Sequence, residues 1–208
     1  MEQDIARERH RYQSLRDSFG FDHVLPQRKY VIKLPTSPEL LEAVYGRTGE
    51  QPPASPLEAP CILTIQKRSD ALRDPESLTL VYRDGMKNPT IETLVEKSKK
   101  DEGLKECLRE FCTRCIEFTN KTGEILDMAM PDNVVFYRKG GQWSYEIIDG
   151  IYPHTENIIE TIRQASVKMS GDEPLLNDEA IDFQNGTAYV NVINGFAEQL
   201  GLQERIQA

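Results

Sequence analysis

The chain has 208 residues, of which 38% are hydrophobic and 28% charged, a composition typical of a globular protein with one domain or two lobes. Its formal net charge of −9 argues against nucleic-acid binding, because phosphate contacts need clustered Lys and Arg. No apolar run approaches the length that spans a membrane, and the first residues are charged, unlike a signal peptide. We therefore expect a cytoplasmic protein.

The first half of the chain is predicted to alternate helices and strands. The predicted elements are a helix over 4–18, a strand over 27–34, a helix over 38–45, strands over 61–66 and 78–82, and a helix over 88–98. Gly20 is a suitable stop for the first helix, and Ser37 and Pro38 are suitable first residues for the second. The stretch 46–60 is rich in Pro and polar residues, which predicts an exposed loop inserted into a domain.

A long helix is predicted over 102–119. The residues predicted to lie on its buried face are Leu104, Leu108, Phe111 and Cys115. Cys112 and Cys115 form a C-x-x-C pair, a spacing that also occurs in zinc and redox sites. The chain has no second C-x-x-C and no His near this pair, whereas structural zinc needs four ligands. We interpret the cysteines of this helix as core residues.

Three further helical segments are predicted after residue 150, over 155–168 with Thr155 as its cap, over 177–183 as a short helix or turn, and over 187–200. The residues predicted to form their apolar faces are Ile158, Ile159, Ile162 and Val167 in the first, and Val190, Ile193, Phe196, Ala197 and Leu200 in the last.

Residues 126–150 carry the clearest local pattern. Two runs of β-branched and aromatic residues, Val134–Tyr137 and Trp143–Ile148, flank Gly140-Gly141, which predicts a β-hairpin. With Gly-Gly as the turn, paired residue numbers add up to 281, so that Asn133 lies opposite Ile148 and beside Asp149. An amide and a carboxylate side by side are hard oxygen ligands, suited to Mg²⁺ that carries phosphates.

The same segment resembles a known motif. Pro131-Asp132-Asn133, followed by strand, turn, strand and Asp149-Gly150, resembles the catalytic loop and metal-binding segment of protein kinases, where an Asn and an Asp hold the metal ions. Met128 and Met130 stand where that loop carries its catalytic Asp and a Lys, Asp127 is one position off, and Asp-Phe-Gly has become Asp-Gly-Ile. With this eroded loop and this length, the chain resembles the bacterial kinase-like proteins of the YrbL type, the PhoP regulatory network family.

The resemblance implies a fold and a domain organisation. The fold would be α+β and protein kinase-like, with two lobes in a single domain over 1–208. Residues 1–84 would form a reduced N-terminal lobe with the Pro-rich insertion 46–60, and residues 85–208 a mainly helical C-terminal lobe. The sheet of the small lobe would combine the strands 27–34, 61–66 and 78–83, with the helix 4–18 packed on it.

A nucleotide site of the kinase type needs a Gly-rich loop and a strand Lys paired with a helix Glu. No G-x-G-x-x-G occurs in the chain. Two alignments supply the other groups. In one, Lys33 pairs with Glu39 or Glu42. In the other, which the order of helix, turn and strand favours, the helix 4–18 carries Glu8 as the candidate partner and Lys33 is a surface lysine. Asp127 is the candidate catalytic base if the loop bulges by one residue, and a turn residue otherwise.

These features lead to three hypotheses of function. The first is a pseudokinase, a degenerate kinase-like protein that acts by binding or regulation on a protein partner, with Mg²⁺ and ATP bound weakly at Asn133 and Asp149. The second is an active ATP-dependent phosphotransferase that uses Asp127 as its base. The third is an unrelated α+β interaction domain. Phosphoryl transfer depends mostly on positioning and electrostatic stabilisation, so the missing loop and base favour the first.

Overall fold

The computed structural model describes residues 2–35, 58–81, 89–128, 133–148, 157–171 and 174–207. Its helices are α1 (Glu2–Phe19), α2 (Pro89–Ser98), α3 (Glu102–Thr122), α4 (Ile158–Ser170) and α5 (Asn177–Gln199). Its strands are β1 (Gln27–Pro35), β2 (Glu58–Gln66), β3 (Leu78–Thr79), β4 (Val134–Lys139) and β5 (Gln142–Ile147), and a 3₁₀ turn spans Ala71–Arg73. The α+β class predicted from the sequence is confirmed. Within the described ranges, no helix combines the length and the apolar character needed to cross a membrane.

The chain divides into two compact units. The smaller is Pro26–Lys67, and the larger combines Met1–Leu25 with Arg68–Ala208. The kinase-like arrangement of lobes, with a boundary near residue 84, stays a prediction. The predicted helix over 38–45 and the loop 46–60 lie outside the described residues, apart from the start of β2.

The smaller unit contains an antiparallel hairpin. Its register runs from Gln27 opposite Gln66 to Pro35 opposite Glu58. One step outside this ladder, the backbone N–H of Lys67 donates to the carbonyl oxygen of Pro26, with 3.2 Å between nitrogen and oxygen. The chain therefore enters and leaves the hairpin at nearly the same point.

The larger unit is built around α3. Asp101 caps the helix, because its carboxylate accepts a hydrogen bond from the backbone N–H of Leu104 at 3.1 Å. Gly123 ends it in the left-handed conformation, with φ of 73°. The face predicted from the sequence, Leu104, Leu108, Phe111 and Cys115, is buried. Phe19 at the end of α1 packs on this face, with its ring centroid 6.2 Å from that of Phe111.

The hairpin predicted at Gly140-Gly141 is confirmed in its register. Val134 pairs with Ile147, and the backbone N–H of Ile148 donates to the carbonyl oxygen of Asn133 at 2.8 Å. Both turn glycines have positive φ, 61° at Gly140 and 85° at Gly141, as a two-residue turn of the mirror-image type requires. The hairpin forms a second sheet together with β3, in the order β3-β4-β5, so that β4 is the central strand.

The prediction of one sheet from the strands 27–34, 61–66 and 78–83 is wrong. β1 and β2 pair with each other, whereas Leu78 and Thr79 pair with Phe136 and Val135 of β4. Within the larger unit, α1 packs against α3 through Phe19. Strand pairing is decided by tertiary contacts across long sequence separations, which local strand patterns do not encode.

The C-terminal helices differ in three respects from those predicted. Asn157, not Thr155, caps α4, because its side chain accepts a hydrogen bond from the N–H of Glu160. Val167, predicted to be buried, is 68% exposed, while Ala165 is buried. The segments predicted over 177–183 and 187–200 are one continuous helix, α5. A Cβ added to Gly186 would lie 2.3 Å from a side-chain carbon of Ile158, so the glycine lets α4 and α5 approach closely.

Candidate functional site

Asn133 lies at the open end of the β4–β5 hairpin and is only 6% exposed. Its side-chain nitrogen Nδ2 donates to the backbone carbonyl oxygen of Asp127 at 2.9 Å. Only the amide nitrogen can donate to a carbonyl, so the orientation of the amide is determined, and a cation would be met by the amide oxygen Oδ1. Asn133 therefore links Asp127 to the hairpin, since its own backbone oxygen accepts the hydrogen bond from the N–H of Ile148.

The predicted pairing of Asn133 with Asp149 stays a prediction. Asp149 lies outside the described residues, as do Met130, Pro131 and Asp132 of the loop. In the part of the chain that the structure describes, no three His, Cys, Asp or Glu side chains are grouped so as to hold a metal ion.

Met128 and Asp127 differ in their surroundings. Met128, which stands where the kinase loop carries its catalytic Asp, is 3% exposed and belongs to the hydrophobic core. Asp127 is half-buried. Its backbone oxygen, bound to Asn133, brings the candidate base and the candidate ligand into one loop.

Glu8 and Lys33 belong to different units of the chain. Glu8 contacts Arg11 one turn further along α1, with 3.4 Å between Oε1 and Nη1. Lys33 lies in β1 opposite Pro60, and its side chain is outside the described part of the structure. The predicted link of either residue with a nucleotide stays a prediction.

A buried ion pair beside this loop was not predicted. Nε of Arg11 donates to Oε1 of Glu124 at 2.6 Å, and both side chains are buried. The two residues are 113 positions apart, so no local pattern joins them. One signal was present, since Arg11 precedes the core residues Leu15 and Phe19 at helical spacing and a buried Arg requires a carboxylate partner.

A second buried carboxylate lies on the hairpin itself. Glu146 accepts hydrogen bonds from the Ser69 hydroxyl at 2.6 Å and from the Tyr137 hydroxyl at 3.1 Å. Burial raises the pKa of Tyr137, and the negative charge of Glu146 raises it further, so the phenol remains a hydrogen-bond donor. Ser69, which precedes the 3₁₀ turn, is thereby attached to β5 of the sheet.

The cysteines of α3 are core residues, as predicted. Cys107, Cys112 and Cys115 are free and buried. Burial raises the pKa of Cys107 and of Cys112 to about 12, with the charge of Glu110 adding to the effect at Cys107. The pKa of Cys115 is also raised, mainly by burial. Thiols with such pKa values stay protonated at neutral pH and are poor nucleophiles and metal ligands.

The chain matches no protein-family model, no curated protein and no solved structure.

Proposed function

We propose that the protein is a degenerate kinase-like protein that acts mainly by binding or regulation, with weak Mg²⁺–nucleotide binding at Asn133 and Asp149. The observation that carries this proposal is the contrast within one loop. Met128, at the position of the catalytic base in the kinase motif, is a core side chain, whereas Asn133 is held in place at the mouth of the hairpin. This contrast supports a loop that keeps one candidate metal ligand, Asn133, and has lost the group that would take a proton.

The chemistry of the two ligands supports Mg²⁺ over softer metals. An amide oxygen and a carboxylate are hard donors, and Mg²⁺ is commonly held by one or two protein oxygens together with substrate phosphates. The bound cation would neutralise phosphate charge. Because the sequence lacks the G-x-G-x-x-G motif that covers the phosphates in kinases, binding should be weak.

An active phosphotransferase is the second candidate, and one contact favours it. Asn133 donates to the backbone carbonyl oxygen of Asp127, so the residue next to the motif position is held beside the hairpin. In that case Asp127 would accept the proton of the attacking hydroxyl, as the base of a kinase loop does. Turnover of ATP by the wild type that is lost in Asp127→Asn would favour this candidate over the first.

Thermal unfolding with and without Mg²⁺–ATP tests the nucleotide proposal. A ligand that binds only the folded state stabilises it by RT ln(1 + [L]/Kd), so millimolar Mg²⁺–ATP should raise the Tm of the wild type. Asp149→Asn should remove this shift and leave the Tm without nucleotide nearly unchanged. Asp178→Asn, at an exposed carboxylate of α5, is the matched control and should keep the shift. No shift in the wild type at that concentration would exclude the nucleotide site.

A further inference from the structure

The buried ion pair between Arg11 and Glu124 joins α1 to the segment that follows α3. The contact is 2.6 Å long, and water is largely excluded from both side chains. Glu8 contacts the same guanidinium from within α1. Removing one partner of such a pair is strongly destabilising, because it leaves an uncompensated charge in the protein interior.

The segment that starts at Glu124 leads directly to the candidate site. Ile125, Leu126 and Met128 are buried in the main core, so these residues have little freedom to move independently. Asp127 lies between them and accepts the side-chain hydrogen bond of Asn133. Asn133 in turn accepts the backbone bond from Ile148. An unbroken series of contacts therefore runs from α1 through Glu124 to the open end of the hairpin.

We propose that Arg11 is a positioning residue, which couples the placement of α1 through its ion pair with Glu124 to the segment 124–128, and through Asp127 to Asn133. Coupling between two sites is reciprocal in binding free energy. A ligand held at Asn133 would therefore stabilise α1, and a partner that displaces α1 would loosen the segment 124–128. Both consequences rest on the proposed function, whereas the coupling itself does not.

Hydrogen exchange of backbone amides in Arg11→Met tests the coupling. Met keeps the apolar stem of the side chain and removes the charge. Amides of residues 124–128 and the amide of Ile148 should exchange about tenfold faster than in the wild type, measured relative to amides at the centre of α3. Global destabilisation would accelerate all of these amides together. Arg11→Lys, which keeps the charge, should restore part of the protection.

Arg114→Met is the matched control. The Arg114 guanidinium donates to the carbonyl oxygen of Phe19 and so also fastens α1 to α3, but through a backbone carbonyl and not through Glu124. Its loss should leave the ratio of loop to α3 exchange unchanged. If Arg11→Met fails to fold, the double variant Arg11→Met/Glu124→Met removes both charges, should fold, and should show the same faster loop exchange.

The coupling is overturned if the ratio of loop to α3 exchange in Arg11→Met or in the double variant equals that of the wild type. It is also overturned if Arg114→Met raises this ratio as much as Arg11→Met does. A second arm adds millimolar Mg²⁺–ATP, which should slow exchange of the α1 amides around Arg11 in the wild type and not in Arg11→Met. A wild type with no Tm shift in nucleotide would contradict the proposed function alone, because the comparison of loop exchange needs no ligand.

Discussion

Phe111 lies in the middle of an aromatic cluster. Its ring centroid is 5.3 Å from that of Phe136 and 5.2 Å from that of Tyr145, both in edge-to-face geometry, and the side chain is fully buried. Such pairs contribute beyond the area they bury. The residue therefore connects α3 to both strands of the β4–β5 hairpin.

Phe111→Ala should lower the free energy of unfolding by about 3–5 kcal/mol, since it combines lost burial with a cavity in a close-packed core. Urea unfolding monitored by circular dichroism measures the change. Val167→Ala is the control, because Val167 is exposed and its truncation should stay within about 0.5 kcal/mol of the wild type. A loss below about 1 kcal/mol in Phe111→Ala would contradict the burial of this face.

Asp101 makes the stability of the fold depend on pH. Its carboxylate accepts hydrogen bonds from the Trp143 indole and from the Arg138 guanidinium, each at 2.7 Å, in addition to capping α3. The bond from Trp143 is the largest cause that holds the pKa of Asp101 below its usual value, followed by the backbone N–H of Leu104. A carboxyl group with a lowered pKa in the folded state adds stability above its unfolded pKa, and this is lost as the pH falls through the folded value.

Asp101→Asn should therefore destabilise the protein at neutral pH, and the loss relative to the wild type should shrink as the pH falls below about 4. Urea unfolding at several pH values measures both effects. Glu117→Gln, at an exposed site on α3, is the control and should give an unfolding free energy near that of the wild type at each pH. A deficit for Asp101→Asn that is constant across this pH range would show that the charge is not involved.

At the scale of the elements, the hairpin turn gives a sharp test. Gly141 has φ of 85°, and a Cβ added there would meet nothing within 4 Å, so any cost of Gly141→Ala is backbone strain alone. Left-handed backbone costs an L-residue about 1–2 kcal/mol, and we expect a loss of about that size in urea unfolding.

Gly195→Ala is the paired variant. Gly195 lies within α5, and its added Cβ would also meet nothing within 4 Å. Because Ala loses less conformational freedom than Gly in a helix, this variant should gain about 0.5–1 kcal/mol. Opposite signs for the two variants are the expected result. A neutral Gly141→Ala would contradict the mirror-image turn.

The elements differ in how far local sequence determines them. The register of the hairpin was predictable, because Gly140-Gly141 defines the turn and the turn defines every pair up to Asn133 and Ile148. The sheet to which Leu78 and Thr79 belong was not, because their partners lie more than fifty residues away. The continuity of α5 was hidden by Gly186, a helix breaker in isolation that here serves the contact with Ile158.

The candidate site shows the same division. The position of Asn133 opposite Ile148 followed from the turn, whereas its bond to Asp127 depends on how the loop folds back. The ion pair of Arg11 with Glu124 depends on the packing of α1, which lies far away along the sequence. The turn chemistry was therefore sufficient to place Asn133 at the end of the hairpin, and insufficient to show what holds its side chain.

At the scale of the molecule, the two units should be separable. Among the described residues, the two hydrophobic clusters both lie in the larger unit. The ends of the smaller unit meet, since the N–H of Lys67 reaches the carbonyl oxygen of Pro26 at 3.2 Å. Two antiparallel positions at this distance can be joined by a two-residue turn.

We expect a variant in which Asn-Gly replaces Gln27 to Gln66 to fold cooperatively, with the fluorescence of the single tryptophan, Trp143, close to that of the wild type. Circular dichroism, thermal unfolding and fluorescence check this outcome. Joining the same ends with a longer Gly-Ser linker controls for strain in the short turn. A protein that is unfolded with either joint would show that the larger unit requires the smaller one.

The closed base of the β1–β2 hairpin also bears on the rate of folding. The core joins Phe19 of α1 to α3, and the chain between them passes through the whole smaller unit. The entropy of closing such a loop rises only slowly with length, by about 0.6 kcal/mol for each doubling, yet it must be met before the first core contact forms. A hairpin that forms first brings Leu25 next to Arg68 and takes the smaller unit, nearly half of the chain between Phe19 and Phe111, out of the loop that must close. Refolding of the wild type should then slow when hairpin pairing is weakened, while the variant joined by Asn-Gly folds at least as fast as the intact chain.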